Sequence, residues 1–321
     1  MATIVLPGVS SPRLWKTAQT VGVLLTLVLL AALVTSPRQS LHLLWDMVIP
    51  ILPATFLINP LIWRNVCPLG TLNAYTGKRI GTRSIPVSLL NWAWGVGLVL
   101  LAVLVPARRF VFNTNGALLA VTIAVVATLA LAGGFLFAGR AGFCNALCPV
   151  LPVEKLYGQA PLVTLGNARC PTCEVCTSAG CIDLAFTKSV AQTLGPSRRG
   201  LGWLLTPFGV FVAAFPGFIY GYFTLANADL AAAGAVYAHV AISSIVSYAI
   251  VAAVVGLSRM PSRTVVHILG GASIAVYYWF AAPTLGAAYG APVLGPPLVR
   301  LAAFSLVAVW MWRLVGREYA T

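Results

Sequence analysis

Apolar residues run through this chain in long blocks, without the period-two alternation of a half-buried strand or the single stripe of a surface helix. Eight blocks reach or approach the ~20 residues that a helix needs to cross a hydrocarbon core. They are Thr17–Thr35, Leu41–Trp63, Pro86–Val105, Gly116–Ala138, Trp203–Leu225, Leu230–Leu257, Val265–Leu285 and Val293–Trp312. Pro50 and Pro53 predict a kink in the second block, and Pro296, Pro297 and Arg300 crowd the start of the last. The pattern predicts an all-α integral membrane protein of about eight transmembrane helices, or six or seven if one block is re-entrant. The first block is too long for the apolar core of a cleavable signal. It is followed by Ser36-Pro37-Arg38 instead of a small-residue cleavage site, so it reads as a span.

Composition sharpens that class. Of 321 residues 60% are hydrophobic and only 8% charged, with mean hydropathy +0.92, too little polar surface for a soluble domain of this length. The net charge of +14 is dispersed between apolar blocks, which fits topology signals and anionic lipid head groups and argues against a nucleic-acid groove. Sixteen of the twenty Lys and Arg residues fall on one side of the eight blocks, leaving Arg38, Arg108, Arg109 and Arg300 on the other. The positive-inside rule then predicts a multi-pass protein of the inner (cytoplasmic) membrane with both termini in the cytoplasm.

All seven cysteines lie on that basic side, within residues 64–85 and 139–202. Cys170, Cys173, Cys176 and Cys181 form a C-x2-C-x2-C-x4-C run. Cys144 and Cys148 precede Pro149, and Cys67 precedes Pro68. A reducing compartment disfavours disulfides, which leaves metal binding. Thiolates at two-residue gaps suit an iron–sulphur cube, whereas structural zinc more often takes two C-x2-C pairs across a longer spacer. The chain thus divides into two hairpins with the first Cys-Pro turn (1–138), an iron–sulphur-binding segment forming a cytoplasmic ferredoxin-like loop (139–202), and a four-helix region (203–321).

The two Cys-Pro turns are related. Trp63-Arg-Asn-Val-Cys67-Pro68 aligns with Cys144-Asn-Ala-Leu-Cys148-Pro149, and the match continues to Gly77 against Gly158. Each copy follows a pair of apolar blocks, so the first half reads as a duplicated hairpin in which Trp63 stands where the second copy has Cys144. These motifs over about residues 41–185 resemble the NapH/NosR/CcoG-type polytopic membrane iron–sulphur proteins. The chain departs from that pattern in having one and a half Cys-x3-Cys-Pro copies and a single ferredoxin-type run. What the resemblance implies is electron transfer between the membrane quinone pool and a partner redox protein.

By ferredoxin logic, in which the fourth cysteine of a run ligates the other cluster, Cys148 would complete a 4Fe–4S cluster with Cys170, Cys173 and Cys176. Cys67, Cys144 and Cys181 would hold a second one. With three thiolates that site is either 3Fe–4S or a 4Fe–4S cluster with a ligand such as Asp183 or water. A single cluster in the protein is the alternative.

Three histidines complete the candidate chemistry. His42 and Asp46 are spaced i, i+4 toward the less basic end of the second block and could accept protons from a quinol. His239, in the sixth block, is a candidate partner of His42 as axial ligand to a b-type haem. His267, at the start of the seventh, reads as interfacial. The competing functions are a structural or anchor subunit of a larger redox or photosynthetic complex, and a transporter with a metal-binding sensor loop.

Overall fold

The computed structural model describes residues 4–5, 12–83, 85–164, 193 and 195–318; the ferredoxin-type run Cys170–Cys181 lies outside them. In chain order the helices are α1 (Pro12–Thr35), α2 (Pro37–His42), α3 (Leu52–Ile58), α4 (Pro60–Val66), α5 (Pro68–Arg79) and α6 (Val87–Ala107). They continue with α7 (Gly116–Leu136), α8 (Leu151–Tyr157), α9 (Pro207–Phe223), α10 (Ala233–Ser258), α11 (Ser262–Ala288) and α12 (Gly295–Glu318). Apart from a two-residue parallel pairing of β1 (Ile4–Val5) with β2 (Val163–Thr164), the regular structure described is helical.

Seven helical stretches are long and apolar enough to cross a membrane: Arg13–Thr35, Pro37–Ile58, Trp92–Phe112, Gly116–Leu136, Leu230–Ser258, Ser262–Ala288 and Gly295–Leu314. Large apolar side chains stand outward on them, among them Leu25 at 64% and Val28 at 65% exposure on α1. That surface is tolerable only where the solvent is lipid. This is a multi-pass helical membrane protein.

The eighth expected block, Trp203–Leu225, falls short. Thr206 ends a 3₁₀ turn (Gly202–Leu205), and its hydroxyl accepts the Gly209 N–H, which starts α9 at Pro207. The 17 residues that follow rise about 25 Å, less than a ~30 Å core. The second block spans at full length but lies earlier than expected, at Pro37–Ile58. Asn59 is extended (φ −169°, ψ 120°) ahead of Pro60 and caps α4 through Leu61 N–H, so Trp63 belongs to a separate short helix.

Pro50 and Pro53 do disturb their helix. A π-helical turn (Leu43–Val48) and a 3₁₀ turn (Ile49–Ile51) join α2 to α3, and a second π-helical turn (Arg108–Phe112) follows Pro106 at the end of α6.

By internal contacts the chain forms two compact units. One comprises residues 1–40, 58–101 and 115–193; the other comprises 41–57, 102–114 and 194–321. In the first, α5 packs along α7 at close backbone distance. Gly139 N–H donates to Gly77 O at 2.9 Å, and a Cβ on Gly77 would come within 2.1 Å of Gly139 O. Asn73 and Thr76 donate to Ala130 O and Leu131 O of α7. In the second unit α9 packs on α10 and α11, with Ser247 Oγ donating to Ala213 O. Tyr278 of α11 puts its hydroxyl between Ala54 N and Pro50 O, 3.0 Å from each. Those two groups are i, i+4 partners, so the side chain is inserted into the helical ladder at the proline.

Candidate functional site

The proline after Cys67 bars that cysteine from the helical region, so the helix breaks there and restarts. Cys67 (φ −60°, ψ 122°) is both the last residue of the α4 turn and the N-cap of α5, with Pro68 at the first helical position. Its sulphur lies at a helix start, where the Leu69 and Gly70 N–H groups donate to it. The second copy is built from turns between α7 and α8. Asn145 N–H donates to Arg140 O and Cys148 N–H to Phe143 O, and Val150 N–H donates to the Cys148 sulphur.

The structure brings Cys67, Cys144 and Cys148 together, all three as free thiols. Cys144 is buried against Ala130 and Phe143, with Leu69, Leu147 and Cys148 packed on the same cluster. At Gly70 an added Cβ would meet Cys144 Sγ at 3.6 Å, Cys67 Cβ at 3.7 Å and Arg64 O at 3.2 Å. A glycine at this point of α5 therefore lets the first-copy cysteine approach the second-copy pair.

Behind the thiols lies a buried ionic arrangement. Arg64 spends one Nη on Glu154 Oε2 and the other on Asn145 Oδ1, both at 2.6 Å. Arg64 and Asn145 occupy equivalent positions in the two aligned copies, so the copies meet through corresponding residues. Arg140 is buried in the same unit, and Lys155 Nζ donates to Thr193 Oγ1.

Burial pushes all three thiols up. The Cys144 thiol rises furthest in kind, well above the usual cysteine value, with Arg64 and Arg140 pulling against the effect. Cys148 is pushed up to about 12 by burial and by Glu154. Cys67 is raised by burial against the pull of the Gly70 and Leu69 N–H groups. Lys155 is pushed down to about 8, first by burial and then by Arg64. Binding of a metal by thiols held this way would displace their protons to solvent. Among the described residues no three His, Cys, Asp or Glu side chains already stand in a metal-holding arrangement.

The intramembrane candidates belong to the other unit. His42 Nδ1 and Asp46 Oδ2 lie 2.8 Å apart, as the i, i+4 spacing predicts. Asp46 is further held by Arg108 Nη2 at 3.3 Å, and Arg108 Nη1 donates to the Tyr222 hydroxyl at 3.1 Å. Both π-helical turns thus supply this cluster, which Trp45 Nε1 reinforces by donating to Phe112 O. Sequence reasoning missed Arg108 and Tyr222. The available signal was that Arg108 is one of four basic residues on the side where the positive-inside rule expects few.

His239 is engaged elsewhere, with Nε2 and Thr224 Oγ1 3.0 Å apart, so its ring and that of His42 each have a separate partner. His267, near the start of α11, is buried at 8% exposure on the packed face of that helix. Cys170, Cys173, Cys176, Cys181 and Asp183 lie outside the described residues. No family model, curated protein or solved structure matches the chain.

Proposed function

We propose that this is a membrane electron-transfer protein that carries iron–sulphur chemistry on the basic, cytoplasmic side of the inner membrane, with both termini on that side. The observation that carries the reading is the convergence of Cys67, Cys144 and Cys148, from two separate Cys-Pro turns, at a site outside the spans. Three thiols with N–H groups aimed at two of the sulphurs and cationic side chains at hand are a donor set that fits an iron–sulphur cluster. The further thiolates come from the run Cys170–Cys181, in one 4Fe–4S cluster or in two, the second of which, if only three cysteines serve it, is 3Fe–4S or a 4Fe–4S cluster completed by a ligand such as Asp183 or water. Bound there, the group supplies one-electron chemistry; the chain supplies burial, orientation and hydrogen bonds.

The donor side of this reading is the quinone pool and the acceptor a partner redox protein. A quinol that gives up two electrons also releases two protons. His42, with its side chain 55% exposed, and Asp46 behind it are the pair assigned to receive them in turn.

The test is iron and acid-labile sulphide per chain, with low-temperature EPR, on protein purified without oxygen. About four irons indicate one cluster and about seven or eight indicate two. Zinc in place of iron, or iron content unchanged in a Cys67→Ser/Cys144→Ser/Cys148→Ser variant, would refute the assignment of this site.

A further inference from the structure

Arg64 and Glu154 are a fully formed ion pair at 4% and 2% exposure. An apolar pair of the same volume would pack there without the cost of stripping water from two charges, which often makes buried ion pairs neutral or unfavourable for stability. The position of this pair is what distinguishes it. Arg64 lies three residues before Cys67, its carbonyl shares the Gly70 contact with Cys144 Sγ and Cys67 Cβ, and its side chain grips Asn145 beside Cys144. Glu154 lies in the first turn of α8, six residues after Cys148, and its carboxylate is held 2.6 Å from the guanidinium. The two charges therefore cannot swing away from the sulphurs, and the guanidinium cannot be discharged by losing a proton.

Resting on the iron–sulphur reading above, we propose that this pair sets the reduction potential of the group held by Cys67, Cys144 and Cys148, with Arg64 as a positioning residue. Arg64 raises that potential and Glu154 lowers it. One-electron reduction adds a negative charge to a thiolate-ligated centre, and no bond to either side chain forms or breaks. A fixed positive charge in a poorly screened site favours the reduced form, and a fixed negative charge disfavours it.

The experiment compares full-length wild type with R64Q, R64K and E154Q, each assayed first for iron and sulphide. Each is then titrated with dithionite and dye mediators while the reduced EPR signal is followed. The midpoint is expected to fall in R64Q and rise in E154Q. Each shift is about tenfold in the reduction equilibrium constant, or about 59 mV for one electron. R64K, which keeps the charge but not the two-armed fork, stays near wild type. A purely structural pair would alter cluster content without opposite shifts in potential. Loaded variants with unchanged or like-signed potentials would overturn the inference. So would loss of the cluster from all three variants while wild type retains it, because the pair would then act in assembly alone. Wild type lacking iron defeats the underlying reading instead, and the iron assay reveals that before any titration.

Discussion

Removing one member of the Arg64–Glu154 pair should damage the cofactor-free protein more than removing both. Arg64→Met leaves the Glu154 carboxylate at 2% exposure with its 2.6 Å partner gone, and also deprives Asn145 Oδ1 of its donor. Taking away one partner of a buried ion pair costs about 3–5 kcal/mol, and the amide oxygen that loses its donor adds about 1 kcal/mol. Glu154→Leu leaves the guanidinium with Asn145 and costs a similar amount. In Arg64→Met/Glu154→Leu both charges are absent, and the remaining loss is the amide contact and some packing, about 1–2 kcal/mol. The coupling energy between the two sites is therefore several kcal/mol, where a solvated pair would give at most about 1 kcal/mol. The four proteins can be compared by reversible unfolding in mixed micelles, followed by tryptophan fluorescence. A coupling energy below about 1 kcal/mol, or a double variant as unstable as the worse single one, would refute a dry, mutually dependent pair joining the two Cys-Pro turns.

Tyr278→Phe should cost only about 1 kcal/mol, because Ala54 N–H can close directly onto Pro50 O once the hydroxyl is gone; a loss above about 3 kcal/mol in the same unfolding assay would contradict that repair. Lys155 releases its proton near pH 8 in the folded chain and near the ordinary 10.5 when unfolded. Between those values the unfolded state binds more protons at this group, so the Lys155 contribution to stability rises with pH across that window by about 3 kcal/mol, against an opposite contribution from the raised thiols of Cys67, Cys144 and Cys148 above their ordinary 9.0. Below it the penalty is fully present. Lys155→Met should raise stability at pH 7 and flatten the slope, and an unchanged slope would count against burial of the ammonium. Gly77→Ala should separate α5 from the turn at Gly139 and reduce iron incorporation, since its Cβ would sit 2.1 Å from a carbonyl oxygen, while Gly95→Ala, with open space around it, should leave iron content at the wild-type level.

Much of the architecture was legible along the chain. Long apolar runs without charge become helices because only a helix satisfies its own backbone in lipid, and seven of the eight blocks did so at full spanning length. The exception, α9, was set by Thr206 capping and by termination at Phe223, signals that hydropathy does not register. The repeat was visible in Cys67-Pro68 and Cys148-Pro149, and with it the expectation that first-copy and second-copy cysteines belong to one face. The ionic partner of Arg64 was not visible: Glu154 is 90 residues away and carries no motif. Nor was the attachment of His42–Asp46 to Arg108 and Tyr222, which depends on two π-helical turns that rotate side chains off the ordinary helical register.

Local chemistry therefore determined which segments are apolar helices, where prolines interrupt them and which cysteines end up at helix starts, since each of these follows from a residue and its immediate neighbours. Only the tertiary structure decided that α5 and the 138–150 turns approach through glycines, that Arg64 reaches Asn145 and Glu154, and that Cys67 and Cys148 gather about the buried Cys144. Those contacts join residues tens of positions apart, and their energies arise from removing water from both partners together, a condition that no single stretch of sequence contains.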